Sequence, residues 1–138
     1  SILLAVLPGD SYAQLYKLDH KTRKFSKQYD AGRNISGLVA NYNRDQLYLL
    51  IDQNGDENYQ IYAFDQKGKK TTKIFGNDGF KAVPIEFSRD GKRLYLKSNH
   101  ENKGIYSVYS FDLVTKKPTA RKVSMVARCP IRRNTWRS

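Results

Sequence analysis

The chain has 138 residues, with 25 Lys and Arg against 13 Asp and Glu, and 12% of its residues are aromatic. This length suits one ordinary domain and is too short for a barrel enzyme. The aromatic content argues against a disordered chain, and the single cysteine, Cys129, excludes a disulfide scaffold. The longest apolar run, residues 2–7, is too short to cross a membrane, so we expect no membrane segment.

Half of the net charge of +12 is concentrated near the C-terminal end. Residues 119–138 hold six basic and no acidic side chains, whereas the rest of the chain carries 19 basic and 13 acidic ones. Two interpretations of the last residues stay open: a basic arm for an anionic partner, or, as we prefer, a truncated or out-of-frame end. Because the excess charge of the body is small, a nucleic-acid-binding module is only our second alternative.

Short strands rich in tyrosine and aliphatic residues alternate with turn signals along the body of the chain. No segment has the periodicity of an amphipathic helix, so the sequence predicts an all-β protein. In chain order the predicted strands are residues 2–7, 14–19, 24–29, 35–41, 47–51, 59–65, 71–75, 82–87, 93–98, 107–112 and 119–124.

The strands recur at a spacing of 46 or 47 residues. Gln14-Leu15-Tyr16-Lys17-Leu18-Asp19 matches residues 60–65 and again residues 107–112, and Gly9-Asp10 recurs as Gly55-Asp56. A unit of four strands at a period in the mid-forties is typical of a β-propeller blade. The sequence therefore predicts about two and three-quarter blades of four antiparallel strands.

The predicted domain organisation follows from this repeat. A partial propeller covers residues 1–125, with an incomplete blade at 1–30 and further blades at 31–77 and 78–125, and an irregular basic tail covers 126–138. Propellers close with about four to eight blades, so this chain is expected to be a fragment of a longer propeller, with one part of a multi-chain assembly as the alternative. Its outer faces would then be uncovered, and we expect marginal stability and unusual exposure of Leu3, Val6, Leu15, Val108, Phe111 and Val123.

Two segments resemble known propeller families. Phe87-Ser88-Arg89-Asp90-Gly91-Lys92 resembles the Ser-Pro-Asp-Gly-Lys turn of TolB-type repeats, with Arg89 in place of proline. Residues 52–62 are similar to the Asp-x-x-Gly-x-Glu-x-x-Gln-(Ile/Leu)-Tyr segment of prolyl oligopeptidase-family propellers, including acylaminoacyl-peptidase and dipeptidyl-peptidase relatives. The resemblance covers about residues 3–123.

In that family the propeller precedes an α/β-hydrolase domain with a Ser-Asp-His triad and screens which peptides reach it. The resemblance implies that this chain gates or binds peptide substrate, with a hydrolase domain of the same parent chain and the peptide as its partners. The first alternative is a non-enzymatic TolB-type propeller that acts as a protein-binding scaffold. A cytoplasmic and a bacterial periplasmic location both stay open.

No Gly-x-Ser-x-Gly nucleophile elbow occurs in the 138 residues. We therefore assign no catalytic, cofactor-binding or metal-binding residue, expect no peptidase activity from the chain itself, and leave the substrate-binding residues open. Asp52, Asn54 and Asp56 have the alternation of a calcium loop. An EF-hand needs glycine at its sixth position and an acid at its twelfth, where this chain has Glu57 and Ala63. A polar hairpin loop is the prediction there.

Other candidates are also predicted to be structural. His20 and His100 are expected in surface loops without metal-ligand spacing, and Cys129 has no recognisable base. The recurring tyrosines Tyr16, Tyr62 and Tyr109 are expected to pack between blades rather than stack on nucleic-acid bases. The remaining candidates are the basic turns 21–24, 67–70 and 115–117, interpreted as outer hairpins, and the glycosylation sequon Asn34-Ile35-Ser36.

Overall fold

The structure is a computed structural model that describes residues 1–53, 55–76, 79–115 and 120–123. Within these residues it contains strands and no helix, which confirms the all-β prediction. None of the described residues forms a helix able to cross a membrane. The strands are β1 (Ile2–Ala5), β2 (Gln14–Leu18), β3 (Phe25–Tyr29), β4 (Ile35–Asn41), β5 (Gln46–Ile51), β6 (Gln60–Asp65), β7 (Lys70–Phe75), β8 (Ala82–Phe87), β9 (Arg93–Asn102), β10 (Ile105–Asp112) and β11 (Ala120–Lys122).

The strands form three antiparallel meanders. Sheet 1 has the order β1-β2-β3, sheet 2 has the order β4-β5-β6-β7, and sheet 3 has the order β8-β9-β10-β11. The three sheets do not close into a ring. The hairpin of β9 and β10 is longer than the sequence predicts, because pairing continues to Ile105 and Asn102 beyond a bulge. Thr119, Ser124 and the tail 126–138 lie outside the described residues.

The recurring tyrosines occupy one register position in all three sheets. Tyr16, Tyr62 and Tyr109 each lie on the strand before the last of their sheet, as the spacing predicts. Their partners on the two neighbouring strands are, sheet by sheet, Leu3 and Lys27, Leu49 and Lys73, and Leu96 and Lys122. Each sheet therefore carries the same cross-strand row of a leucine, a tyrosine and a lysine.

Two hydrophobic clusters show that the sheets pack face to face. Leu15 of sheet 1 packs with Leu49 and Phe64 of sheet 2. On the other side, Tyr48 and Ile61 of sheet 2 pack with residues of sheet 3 that include Leu94, Leu96, Tyr109 and Phe111. Adjacent residues of a strand point to opposite faces, so β5 contributes Tyr48 to one cluster and Leu49 to the other. Sheet 2 is covered on both faces.

This packing corrects the expected exposure of the outer sheets. The prediction is wrong for Leu15, which is 0% exposed, and for Phe111, which is 3% exposed, because both side chains face sheet 2. Val6 is 60% exposed, as expected. The others, Leu3, Val108 and Val123, are half-buried.

Successive sheets are joined by the same backbone hydrogen bond. The N–H of Ile35, at the start of sheet 2, donates to the carbonyl of Ala13 at 3.1 Å. Ala13 is the last residue of the loop between β1 and β2. The N–H of Ala82, at the start of sheet 3, donates to the carbonyl of Tyr59 just before β6, at 2.8 Å. The bond therefore recurs with the period of the sequence.

Candidate functional site

The loops before β2 and β6 lie at the same end of the sheets as the connections between sheets, and we call this the loop end. Arg33, in the connection from β3 to β4, extends here toward sheet 2. Its Nη1 donates to Oε1 of Gln53 at 2.8 Å, and its Nη2 donates to the hydroxyl of Tyr62 at 3.3 Å. The connection itself is held by Gln14, whose side chain binds the N–H of Ala31 and the carbonyl of Arg33.

Arg33 forms no ion pair with a carboxylate of the described residues. Both of its acceptors are neutral, its Nε is buried without a hydrogen-bond partner, and no Asp or Glu among the described residues lies within 4.0 Å of it. A guanidinium binds carboxylate or phosphate with two parallel hydrogen bonds. Arg33 is therefore a candidate residue of the loop end for binding an anionic group.

A second cluster at this end is centred on Asp10. Its carboxylate accepts hydrogen bonds from Nζ of Lys27 at 2.8 Å, from the hydroxyl of Tyr16 at 2.5 Å and from the N–H of Leu7 at 3.0 Å. The Lys27 bond, with help from the other two, lowers the pKa of Asp10 to about 2, and Asp10 raises the pKa of Tyr16. With both oxygens occupied, this carboxylate fixes the loop before β2.

Sheet 3 also brings together a carboxylate, a lysine and the recurring tyrosine, as sheet 1 does around Asp10. Nζ of Lys122 lies 3.5 Å from the carboxylate of Glu101, and burial together with Glu101 raises the pKa of Tyr109. The Tyr109 hydroxyl makes no hydrogen bond of normal geometry with the described residues. Sequence reasoning missed these clusters, although a lysine follows the recurring tyrosine by a similar distance in each sheet.

The two described carboxylates with calcium-loop spacing, Asp52 and Asp56, accept hydrogen bonds from backbone N–H groups of their own loop. Asp52 is buried and accepts the N–H of Glu57 at 2.9 Å, and Asp56 accepts the N–H groups of Gln53 and Asn58. The Asn58 bond is the main cause of the lowered pKa of Asp56, and the charge of Arg33 also contributes. Asn54 lies outside the described residues. In the described part of the chain, no group of three or more His, Cys, Asp or Glu is placed to hold a metal ion.

The two histidines lie in different surroundings. His20 is in the exposed turn after β2, with Nε2 2.6 Å from Oγ of Ser1. The expectation of a surface loop is wrong for His100, which lies within β9 and is half-buried, because the strand is longer than predicted. Its ring centroid is 4.8 Å from that of Tyr109 and 5.4 Å from that of Phe75. Cys129 lies outside the described residues.

The basic turns lie where the sequence places them. Residues 21–24 are exposed between β2 and β3, residues 67–69 are exposed between β6 and β7, and Lys70, also exposed, begins β7. Lys116 and Lys117 lie outside the described residues. Asn34 of the sequon accepts the N–H of Ala13 at 2.9 Å, which fixes the entry to β2.

Comparisons with protein-family models and with curated proteins found no match to this chain. Among the described residues, the loop end provides a half-buried guanidinium without an ion-pair partner and two carboxylates held by backbone N–H groups. A charged donor and carboxylate acceptors of this kind suit the binding of polar groups.

Proposed function

We propose that the chain is part of a β-propeller, and that this propeller binds or gates peptide substrate for a hydrolase domain of the prolyl oligopeptidase type. The main support for a propeller is the backbone hydrogen bond that recurs between successive sheets, from Ile35 to Ala13 and from Ala82 to Tyr59. A repeated bond at equivalent positions implies a repeated step from one sheet to the next. Repeats that stack by a constant step bury each other's faces, and they form a ring when the rotation of that step closes on itself.

The hairpin between β8 and β9 also supports the proposal. Ser88 and Asp90 bond through their side chains at 2.7 Å, and Asp90 accepts the N–H of Lys92 at 3.0 Å. Gly91 has a φ of 73°, in the left-handed region that glycine adopts without steric cost. The hairpin joins the first two strands of its sheet, which is the place that the TolB-type resemblance implies.

The peptidase part of the proposal depends on the resemblance of residues 52–62, and Arg33 gives it a chemical basis. Peptides carry a terminal carboxylate, and a guanidinium with free donors binds that group well. Gln53, which holds Arg33, belongs to the same segment. We expect Arg33 to be the side chain of the loop end that contacts peptide substrate.

The test is to determine the coding sequence on both sides of this segment and to produce the whole encoded protein. We expect a Gly-x-Ser-x-Gly segment within a hydrolase domain, and labelling of its serine by a fluorophosphonate probe. A control protein with that serine changed to alanine should not be labelled. If the flanking sequence contains only further propeller repeats, the peptidase proposal fails and the non-enzymatic scaffold takes its place.

A further inference from the structure

The hairpins opposite the loop end carry a concentration of exposed basic side chains. In an antiparallel meander every second connection lies at the same end of the sheet, so the hairpins β2–β3, β4–β5, β6–β7 and β8–β9 all lie at the other end. We call this the turn end. Its basic residues, all of them exposed, are Lys21, Arg23, Lys24, Arg44, Lys67, Lys69, Arg89 and Lys92.

The two ends of the sheets carry net charge of opposite sign. Among the described residues, the carboxylates in or beside the turn-end hairpins are Asp19, Asp45, Asp65 and Asp90, which are fewer than the basic residues there. The described loops of the loop end contain Asp10, Asp30, Asp52, Asp56 and Glu57 against Arg33, Lys81 and Lys103. No basic side chain of the turn-end hairpins lies within 4.0 Å of a described carboxylate. The turn end is therefore positive, and its basic groups are free of ion pairs with the described residues.

The same side-chain bond fixes three of the turn-end hairpins. In each, an aspartate carboxylate accepts the backbone N–H of a lysine two residues later, which is an Asx turn. The pairs are Asp19 and Lys21 at 2.9 Å, Asp65 and Lys67 at 3.0 Å, and Asp90 and Lys92 at 3.0 Å. Each carboxylate is thereby used by the backbone of its turn, whereas the lysine remains exposed.

Two of these hairpins place a basic residue where the backbone favours glycine. Arg23 in β2–β3 has a φ of 58°, and Lys69, at the equivalent position of β6–β7, has a φ of 53°. The left-handed region costs a residue with a side chain free energy that glycine avoids. Both hairpins keep a basic side chain at this position in spite of that cost, which supports a role for the charge.

The basic groups lie on hairpins and not in a groove. A groove with a volume of about 540 Å³ opens at the turn end of sheet 2, and its lining includes Asp45 and Asp65. These carboxylates disfavour a phosphate chain there, although a nucleic-acid strand usually follows a basic groove. The hairpins of sheets 2 and 3 are instead held side by side by the bond from Asn41 to Gly91. Separate positive charges on neighbouring hairpins fit an extended anionic surface.

We propose that the turn end binds the surface of an anionic lipid membrane, with its exposed lysines and arginines against the phosphates and carboxylates of the lipid headgroups. Each Lys or Arg close to such a surface strengthens binding about fivefold. The loop end, with Arg33, then faces away from the membrane. The inference does not depend on the peptidase proposal, because it uses only the hairpins at the opposite end of the sheets.

The test is sedimentation of the full chain with phosphatidylcholine vesicles, with and without about one third phosphatidylserine. We expect binding to the anionic vesicles only, and a steep loss of binding as ionic strength rises from about 0.05 to about 0.3 M. The turn-end variant carries Lys21→Gln, Arg23→Gly, Lys67→Gln and Lys69→Gly. Glycine suits the left-handed backbone at positions 23 and 69, and the four side chains are exposed, so the sheets should keep their stability in thermal unfolding.

A matched control variant loses the same charge outside the turn-end hairpins, through Lys73→Gln, Lys81→Gln, Lys97→Gln and Lys103→Gln. The turn-end variant should bind the anionic vesicles at least about 100-fold more weakly than the wild type, and the control variant less than about fivefold more weakly. Equal losses in the two variants, retained binding by the turn-end variant, or no binding of the wild type overturns the proposal. Tighter binding of the wild type to a DNA duplex than to the vesicles, lost in the turn-end variant, overturns it in favour of a nucleic-acid partner.

Discussion

The side-chain amide of Asn41 donates a hydrogen bond to the carbonyl oxygen of Gly91, 2.8 Å away and 50 residues later in the chain. This bond joins the first hairpin of sheet 2 to the first hairpin of sheet 3. A Cβ on Gly91 would lie 2.8 Å from Oδ1 of Asn41 and 2.9 Å from Cβ of Asn43. The close approach of the two hairpins therefore requires glycine at this position.

The first prediction compares two glycines that have nearly the same backbone conformation. Gly91 has a φ of 73° and Gly32 a φ of 72°, but a Cβ on Gly32 would meet nothing within 4 Å. Gly32→Ala should lower the free energy of unfolding by about 1–2 kcal/mol, the cost of the left-handed conformation alone. Gly91→Ala should lower the free energy of unfolding by about 1–3 kcal/mol more than Gly32→Ala does, because its Cβ would also clash with the facing hairpin. Urea denaturation measures both, and equal losses would contradict the packing described for the hairpins.

The second prediction tests the buried bond itself. Asn41→Ala leaves the Gly91 carbonyl without its donor and should cost about 1–3 kcal/mol of unfolding free energy. Asn43, in the same hairpin, donates to the carbonyl of Arg89 at an exposed position. Asn43→Ala should cost less than about 1 kcal/mol, because water replaces an exposed bond. A larger loss for Asn43→Ala would show that the buried contact is misassigned.

The third prediction concerns the two interfaces between sheets. Leu49 and Leu96 hold equivalent positions and are both 0% exposed, in separate clusters. Leu49→Ala and Leu96→Ala should each lower the free energy of unfolding by about 2–5 kcal/mol. Val6→Ala, at an exposed position, should change it by less than about 0.5 kcal/mol. An effect of Val6→Ala as large as the other two would mean that an additional surface covers sheet 1.

The fourth prediction is a pH dependence. The pKa of Asp10 falls from its ordinary value of 3.8 to about 2 in the folded chain. A carboxylate with a depressed pKa adds stability that is complete above the unfolded value and is lost as pH falls through the folded one. The stability difference between the wild type and Asp10→Asn should therefore be constant above about pH 5 and should shrink between about pH 4 and pH 2.

Tyr16→Phe provides the control for this pH dependence. It removes one of the hydrogen bonds that lower the pKa of Asp10 and keeps Lys27 in place. Its loss of stability should begin at the same pH as in the wild type but should be smaller and level off at a higher pH, because its folded pKa is less depressed, as followed by thermal unfolding at several pH values. Identical profiles for the wild type and Tyr16→Phe would show that the hydroxyl does not bind Asp10.

The period of the sequence predicts the strands well, because side chains alternate along a strand and equivalent residues meet equivalent partners. Tyr62 and Tyr109 illustrate this, since each pairs with a leucine and a lysine. The period does not reveal which face of an outer sheet has a neighbour. For that reason Leu15 and Phe111 are buried where exposure was expected.

The candidate site was less accessible to sequence reasoning. Arg33 binds residues 20 and 29 positions away, and no motif marks an arginine whose partners come from another sheet. The position of His100 depends on how far β9 extends, and that is set by pairing with β10 and contact with Phe75. Tertiary packing, rather than local preference, decides both features.

We infer that the same rotation and translation relates sheet 1 to sheet 2 and sheet 2 to sheet 3. An experimental structure of the chain tests it directly, by superposing each sheet on the next. We predict the same rotation axis and angle for both steps, with Tyr16 falling on Tyr62 and Tyr62 on Tyr109. Two different operations, or placement of Tyr62 and Tyr109 on non-equivalent strands, would contradict the account.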